Sequence, residues 1–364
     1  MKPRTLPVLV VTATLFLVAC AGSGDDAGPA STATTEAAAA TTTEAPPSST
    51  TEAPAPTSTD EATTTTVAPA PVMPLTGFPV ADEVLAARPA LVVKIDNHPS
   101  ARPQFGLNAA DIVFEENVEK LTRFAAVFQS QDADRVGPIR SGRTQDVDLL
   151  GSFNQPLFGW SGGNGNVTRA INDSDLISLN PSTTNGQGGF FRDRRGSEKS
   201  EHTLYSSTQA FYTFTPIYAP APPQQFTYRA DGEAFNADPA TGVDLDMDGV
   251  AVNWTWDPGS TSYLRFQGGK PHNDATFGQV SAANVVVLEV DYRPSPADAR
   301  SPEAQTLGTG VAYVFTGGLV VVGTWTRDDR LQPFRLTDAD GNAIGLTPGR
   351  TWVELARQGR TTPR

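Results

Sequence analysis

The chain has 364 residues, with 27 basic side chains against 40 acidic ones and a net charge of −13. That balance excludes a general grip on nucleic acid, whose affinity comes mainly from neutralising the phosphate backbone. A single cysteine excludes an intramolecular disulfide, a thiolate metal cluster and a catalytic thiol in the folded part.

At the start, Lys2 and Arg4 precede an apolar run over residues 6–19, too short to cross a bilayer as a mature helix. The run ends in Leu17-Val18-Ala19-Cys20, small residues before a cysteine in the manner of a bacterial lipobox. This predicts a signal peptide over 1–20 and a diacylglyceryl anchor on Cys20. The protein is then expected on the extracytoplasmic face of the cell membrane, because two acyl chains anchor stably where one does not. Residues 21–72 are almost wholly Thr, Ala, Pro, Ser, Glu and Gly. Such a stretch buries too little to offset its ordering entropy, which predicts a disordered, extended tether.

Folding sequence begins near Met73. Two basic and seven acidic residues lie before it, leaving 25 against 33 and a net charge near −8. The expected class is α/β (α+β) in two parts: a mixed domain over 73–217 and a β-rich domain over 225–358, joined by a proline-rich linker. In the first part, residues 90–95, 111–116 and 122–128 read as strands, the last two as a hairpin. Helices are expected over 146–153 and 167–176, with loop over 162–166. In the second part, 250–256, 263–266, 284–290, 310–315 and 319–326 read as strands. Gly317-Gly318 between the last two gives the strongest hairpin signal.

Polar side chains crowd at several strand ends. Asp96, Asn97 and His98 follow the first buried strand, where binding residues cluster in α/β sheets, and Arg102 comes just after. The same residues also suit a plain Asx turn. Glu115 and Glu116 must face opposite sides of a strand, and the partner expected for the inward one is Arg123 on the next strand. Arg140-Ser141-Gly142-Arg143 sets two guanidiniums and a hydroxyl on a tight loop, which suits phosphate or carboxylate. Arg143 is read as opening a helix whose N–H groups would add to that affinity. An interdomain salt-bridge network is the alternative. Arg192 and Asp193 form a further charged cluster.

The three histidines, His98, His202 and His272, each lie in a polar loop, His272 close to Asp274. Converging, they would serve acid/base chemistry or zinc, but their spacing argues no metal site. No cofactor motif is found. Asp244, Asp246 and Asp248 begin a calcium-loop pattern, yet its twelfth position is Thr255, so an acidic turn before a strand is the expectation. Residues 338–342 read as a hairpin turn. Trp254, Trp256, Trp325 and Trp352 suit either core or a sugar-binding face, with core favoured in strands.

Longer motifs carry a resemblance. Pro74-Leu75-Thr76-Gly77, Lys94-Ile95-Asp96-Asn97-His98-Pro99-Ser100-Ala101-Arg102-Pro103-Gln104, Ala110-Asp111-Ile112-Val113-Phe114-Glu115 and Val136-Gly137-Pro138-Ile139-Arg140-Ser141 resemble the YerB-like family of bacterial lipoproteins. Phe191-Arg192-Asp193, Gly269-Lys270-Pro271-His272-Asn273-Asp274, Asn284-Val285-Val286-Val287, Gly323-Thr324-Trp325 and Pro348-Gly349-Arg350-Thr351-Trp352 extend the likeness over nearly all of the chain after the tether. One departure is Ser200-Glu201-His202-Thr203-Leu204-Tyr205, where the family tends to Pro-His-Asn before Leu-Tyr. The family carries the DUF3048 domain of unknown function, so the resemblance implies a two-domain lipoprotein and supplies no reaction.

Two functions follow as expectations. One is a binding lipoprotein holding an anionic envelope ligand in a cleft lined by Arg102, Arg123, Arg140, Arg143 and Arg192. The other is an envelope hydrolase or phosphotransferase using Asp96, Glu115 or His98, with arginines steadying phosphate charge. The second resembles LytR-CpsA-Psr phosphotransferases in element order alone.

Overall fold

The structure, a computed structural model, describes residues 71–364 except Asp231 and Ala234. Cys20, the expected signal peptide and the expected tether up to residue 70 lie outside the described residues. No helix among the described residues is long and apolar enough to cross a membrane.

In the first half, helix α1 (Glu83–Ala87) is capped by the Asp82 side chain and leads to strand β1 (Leu91–Asp96). β1 is buried along its whole length, as its Leu-Val-Val run requires of a strand covered on both faces. β2 (Ile112–Val118) and β3 (Leu121–Phe128) form the expected antiparallel hairpin around Glu119-Lys120, with Lys120 at φ +57°. The helix expected over 146–153 divides into α2 (Gln145–Leu149) and a 3-10 turn, Gly151–Phe153. β4 (Leu157–Gly159) pairs parallel to β1. Helix α3 (Gly165–Asn172) starts inside the segment expected as loop, because the Asn164 side chain accepts from the backbone N–H groups of Asn166 and Val167 and caps it. β5 (Ile177–Leu179) pairs with β4, and α4 (Thr208–Tyr212) closes the half.

The second half is all strand: β6 (Gly242–Met247), β7 (Val250–Asp257), β8 (Ser262–Gln267), β9 (Asn284–Val290), β10 (Tyr292–Ser295), β11 (Asp298–Ala304), β12 (Gly308–Thr316), β13 (Leu319–Arg327), β14 (Arg335–Thr337), β15 (Thr351–Arg357) and β16 (Thr361–Pro363). Gly317 and Gly318 take φ +62° and +77°, the left-handed pair that a two-residue type I′ hairpin requires. Asp248 and Gly249, at φ +53° and +90°, make the same turn between β6 and β7. The calcium-loop pattern is therefore a hairpin. Its acids are each taken by a different arginine: Asp244 by Arg364 at 3.0 Å, Asp246 by Arg360 at 3.4 Å and Asp248 by Arg357 at 2.5 Å. Asp338 likewise caps its turn, accepting from the N–H groups of Asp340 and Asn342.

The two-part α/β arrangement is held together by a shared sheet. Eleven strands form one sheet, ten of them in the order β14-β13-β12-β9-β15-β2-β3-β1-β4-β5. The halves meet where β2 pairs parallel to β15. β8, β7, β6 and β16 belong to a second, six-stranded sheet, so the fold runs past residue 358. One face of the large sheet packs Val93, Ile95, Phe124 and Trp352 against Leu245, Val252 and Trp254 of that second sheet. The other face packs Val92, Phe114 and Ala125 against Leu149, Phe153, Trp160 and Ile171 from the helical segments. Trp254, Trp325 and Trp352 are all buried, so these three strand tryptophans are core rather than a sugar-binding face.

Candidate functional site

Asp96 is the last residue of β1. Residues in direct register share a face, so Asp96, Arg123 and Glu116, one row across β1, β3 and β2, all project to the helical side of the large sheet. Residues 136–141 run alongside β1: the Asp96 N–H donates to Pro138 O at 2.9 Å and the Arg140 N–H to Lys94 O at 2.9 Å. This sets Arg140 Nε 3.4 Å from Asp96 Oδ2. His202 brings its Nδ1 to 2.6 Å from the same oxygen, which orients the ring and leaves Nε2 turned away from Asp96. His98 stacks on His202, ring centroids 4.2 Å apart and planes 13° from parallel. Burial, then the neighbouring His202, lowers the His98 pKa, so its neutral form is favoured.

Arg123 lies between the two arginines of the Arg140–Arg143 loop in electrostatic terms. Its pKa is brought down to about 10, first by burial, then by Arg143 and Arg140. Its one hydrogen bond to a described residue is from Nη1 to Ser141 O, at 3.3 Å. The Arg140 guanidinium makes none among the described residues, and it remains partly open to solvent, its side chain 23% exposed. Arg143 binds Glu119 through Nη2 at 2.9 Å, but its buried Nε has no partner among the described residues. Gly162, at φ +100°, closes over this loop, where a Cβ would stand 2.7 Å from Ser141 Oγ. Three guanidiniums with unused donors thus converge on one region. Arg143 does not open a helix, however: α2 is five residues long and begins two positions later.

Below this cluster, Lys94 pairs with Glu116 and with Asp146, the latter at 2.6 Å, and all three side chains are wholly buried. Burial raises the Glu116 pKa. The expected Arg123 partnership with a glutamate is not formed, because Lys94 reaches Glu116 first and Glu115 faces the other side. Lys94 is not among the site residues expected from the sequence; the available signal is a cation inside a strand buried on both faces, which must have a buried anion.

Several expected site residues lie on the far face, between the two sheets. Arg265 of β8 binds Glu115 at 2.6 Å, with both side chains buried. His272 Nε2 is 2.8 Å from Gln104 Oε1, and burial followed by Arg265 pushes the His272 pKa well down. Asn97 donates to Gln267 Oε1 at 3.1 Å, and Arg102 is occupied by Asn97, Nε to Oδ1 at 3.0 Å. Asp274 accepts the N–H groups of Leu107 and Asn108. These contacts bind the halves together, and they separate His272, Asp274 and Glu115 from His98. Arg192 donates to Ser200 O, and Asp193 pairs with Arg135 at 3.0 Å. Of the five arginines expected to line one cleft, Arg102 is held by Asn97 and Arg192 donates to Ser200 O, while Arg123, Arg140 and Arg143 meet around the 140–143 loop.

Both halves match known family models. Residues 75–217 match the N-terminal domain, and residues 243–353 the C-terminal domain, of the protein of unknown function DUF3048. A Bacillus subtilis (strain 168) protein named "Putative lipoprotein YerB" is 29% identical over 294 residues, covering 78% of this chain and 85% of that one. The crystal structure of YerB protein from Bacillus subtilis superposes with a TM-score of 0.70 at 24% identity, over 80% of this chain and 99% of that one, and so shares the fold. The class is therefore a strand-rich, two-part α/β protein related to the one named "Putative lipoprotein YerB". The chain belongs to the DUF3048 family.

Proposed function

We propose that this is a lipid-anchored extracytoplasmic binding protein whose Arg123, Arg140 and Arg143 hold a phosphate or carboxylate group of a cell-envelope ligand. The observation that carries this reading is the meeting of three like-charged side chains with incomplete partners: Arg140 Nε and Arg143 Nε are buried without a hydrogen bond among the described residues, and Arg123 makes a single one. A buried guanidinium crowded by two others is costly by itself, and an anion among them would supply both charge and acceptors. His98, half-buried beside Arg140, adds a polar wall. Cys20 is the proposed attachment point, supported by the lipobox pattern and by the lipoprotein name of the relative. The test is equilibrium dialysis of the full chain against radiolabelled phosphate. Saturable binding that disappears in Arg140→Met supports the reading; no saturable binding removes it.

A second reading rests on the Asp96–His202 hydrogen bond. A carboxylate that fixes a histidine through Nδ1 prepares Nε2 to accept a proton, and arginines nearby would steady a phosphoryl group. In that reading the protein is an envelope hydrolase or phosphotransferase using Asp96, His202 and His98. Glu115 takes no part, because it is buried against Arg265 on the opposite face. Turnover of a pyrophosphate-linked substrate that is lost in Asp96→Asn would support it, and binding without turnover would exclude it.

A further inference from the structure

A groove leads away from Arg143. A cavity of about 190 Å³ is lined by Glu119, Arg143, Asn164 and Ser295 among others, and a second of about 710 Å³ lies beneath the β10–β11 hairpin. Glu119, Asp298 and Ser301 line both, so the two form one passage from the arginine cluster to the tip of the β2–β3 hairpin. The larger cavity is within the range of ligand sites, roughly 300–1,000 Å³.

Its charge runs against that of the rest of the folded part. Five basic residues line the passage against three acidic ones, whereas the folding sequence as a whole is acidic. Each acid is already paired: Glu119 with Arg143 at 2.9 Å, Asp248 with Arg357 at 2.5 Å and Asp298 with Arg300 at 2.8 Å. Lys120 and Arg293, at the far end, have no carboxylate within salt-bridge distance among the described residues. Unpaired positive charge therefore stands at the far end of the groove, while at the near end Arg143, though paired with Glu119, keeps a buried Nε without a partner among the described residues. Part of the wall is apolar: Tyr292, its ring covered on one face by Arg357 at 4.6 Å, with Pro294 and Pro302. Proline and tyrosine faces offer few hydrogen-bonding groups to a peptide backbone, but they pack well against the C–H faces of sugars or polyols.

We infer that the groove takes a linear oligomer of sugar or polyol units bearing phosphate or carboxylate groups at intervals, with one anion at Arg143 and another at Lys120 and Arg293. In part this rests on the anion site proposed above, because that site supplies the first station. Two stations on one chain raise affinity by effective concentration, so an oligomer binds much more tightly than its repeating unit.

Calorimetric titration of the full chain tests this, with glycerol phosphate and its phosphodiester-linked hexamer, galacturonate and its hexamer, and hexaglutamate. In at least one of the two series the hexamer is expected to bind about tenfold or more tighter than its unit. That gain should vanish in Lys120→Glu/Arg293→Glu. The series showing the gain identifies the anion as phosphodiester or carboxylate. Absence of a length gain in both series overturns the inference, as does a gain that survives the double substitution or equally tight binding of hexaglutamate. Inorganic phosphate titrated into wild type and Arg140→Met reads the three-arginine site alone. Phosphate binding without a length gain sinks the groove and leaves the anion site standing, whereas a length gain without phosphate binding does the reverse.

Discussion

Glu115 and Arg265 are 150 residues apart in sequence, yet one guanidinium nitrogen of Arg265 reaches both carboxylate oxygens of Glu115, at 2.8 and 2.6 Å. The pair joins the large sheet to the second sheet and ties the two family domains into one core. Removing one member would leave a wholly buried charge without its counter-ion, which costs about 3–5 kcal/mol, while replacing both by apolar groups is far better tolerated. Arg265→Met is therefore expected to lose about that much stability, and Arg265→Met/Glu115→Leu to recover most of it. Urea unfolding curves measure both. Equal losses in the single and double variants would show that the pair contributes nothing as a pair.

Glu354 lies opposite Glu115 in the register of β15 and β2, wholly buried. Burial, then the Glu115 charge, raises its pKa well above the ordinary range. The folded state thus favours the protonated form. Stability from this group is complete below the unfolded value of about 4.3 and is lost as pH rises from there through the folded pKa. Glu354→Gln keeps a neutral side chain at every pH. The variant should lose this decline and be at least as stable as wild type at neutral pH, which denaturant midpoints across pH will show. An unchanged pH slope in the variant contradicts the assignment.

Arg123 makes the cost of the proposed anion site measurable. Its pKa falls from 12.5 to about 10, so below that pH the folded protein holds a charge it disfavours by on the order of 3 kcal/mol. Arg123→Met should stabilise the ligand-free protein by about 1–3 kcal/mol, as expected where a site gives up stability for binding. The same substitution should abolish phosphate binding. A destabilised variant would mean that Arg123 is a structural brace and not part of a site.

The Asp248-Gly249 turn replaces the apparent calcium loop. Gly249 takes φ +90°, a conformation an alanine adopts only under strain, so Gly249→Ala should cost about 1 kcal/mol or more. Calcium should leave the melting temperature of the full chain unchanged. A calcium-dependent rise that is lost in Asp246→Asn would restore the metal reading.

Much of the fold was legible because its signals are local. The alternation and β-branched runs gave β1, β2, β3, β7, β9, β12 and β13, and Gly317-Gly318 gave the turn between the last two. The site was only half legible. Arg140 and Arg143 stood out as a loop motif, and Asp96 and His98 as a strand end, but their partners are long-range. His202 reaches Asp96 from 106 residues away and Arg265 reaches Glu115 from 150, and no spacing rule links such positions. Periodicity did require Glu115 and Glu116 to face opposite sides. It could not say that Lys94 and Arg265, rather than Arg123, would meet them, because that depends on which elements cover each face.

Phosphate-dependent stabilisation of the full chain bears most directly on the central claim. Thermal unfolding followed over a phosphate titration at constant ionic strength should show a saturable rise in midpoint. Arg140→Met and Arg123→Met should each flatten it, whereas Arg192→Met, outside the cluster, should preserve it. A midpoint that does not move with phosphate in the wild-type protein, or that moves equally in all four proteins, would contradict an anion site at Arg123, Arg140 and Arg143.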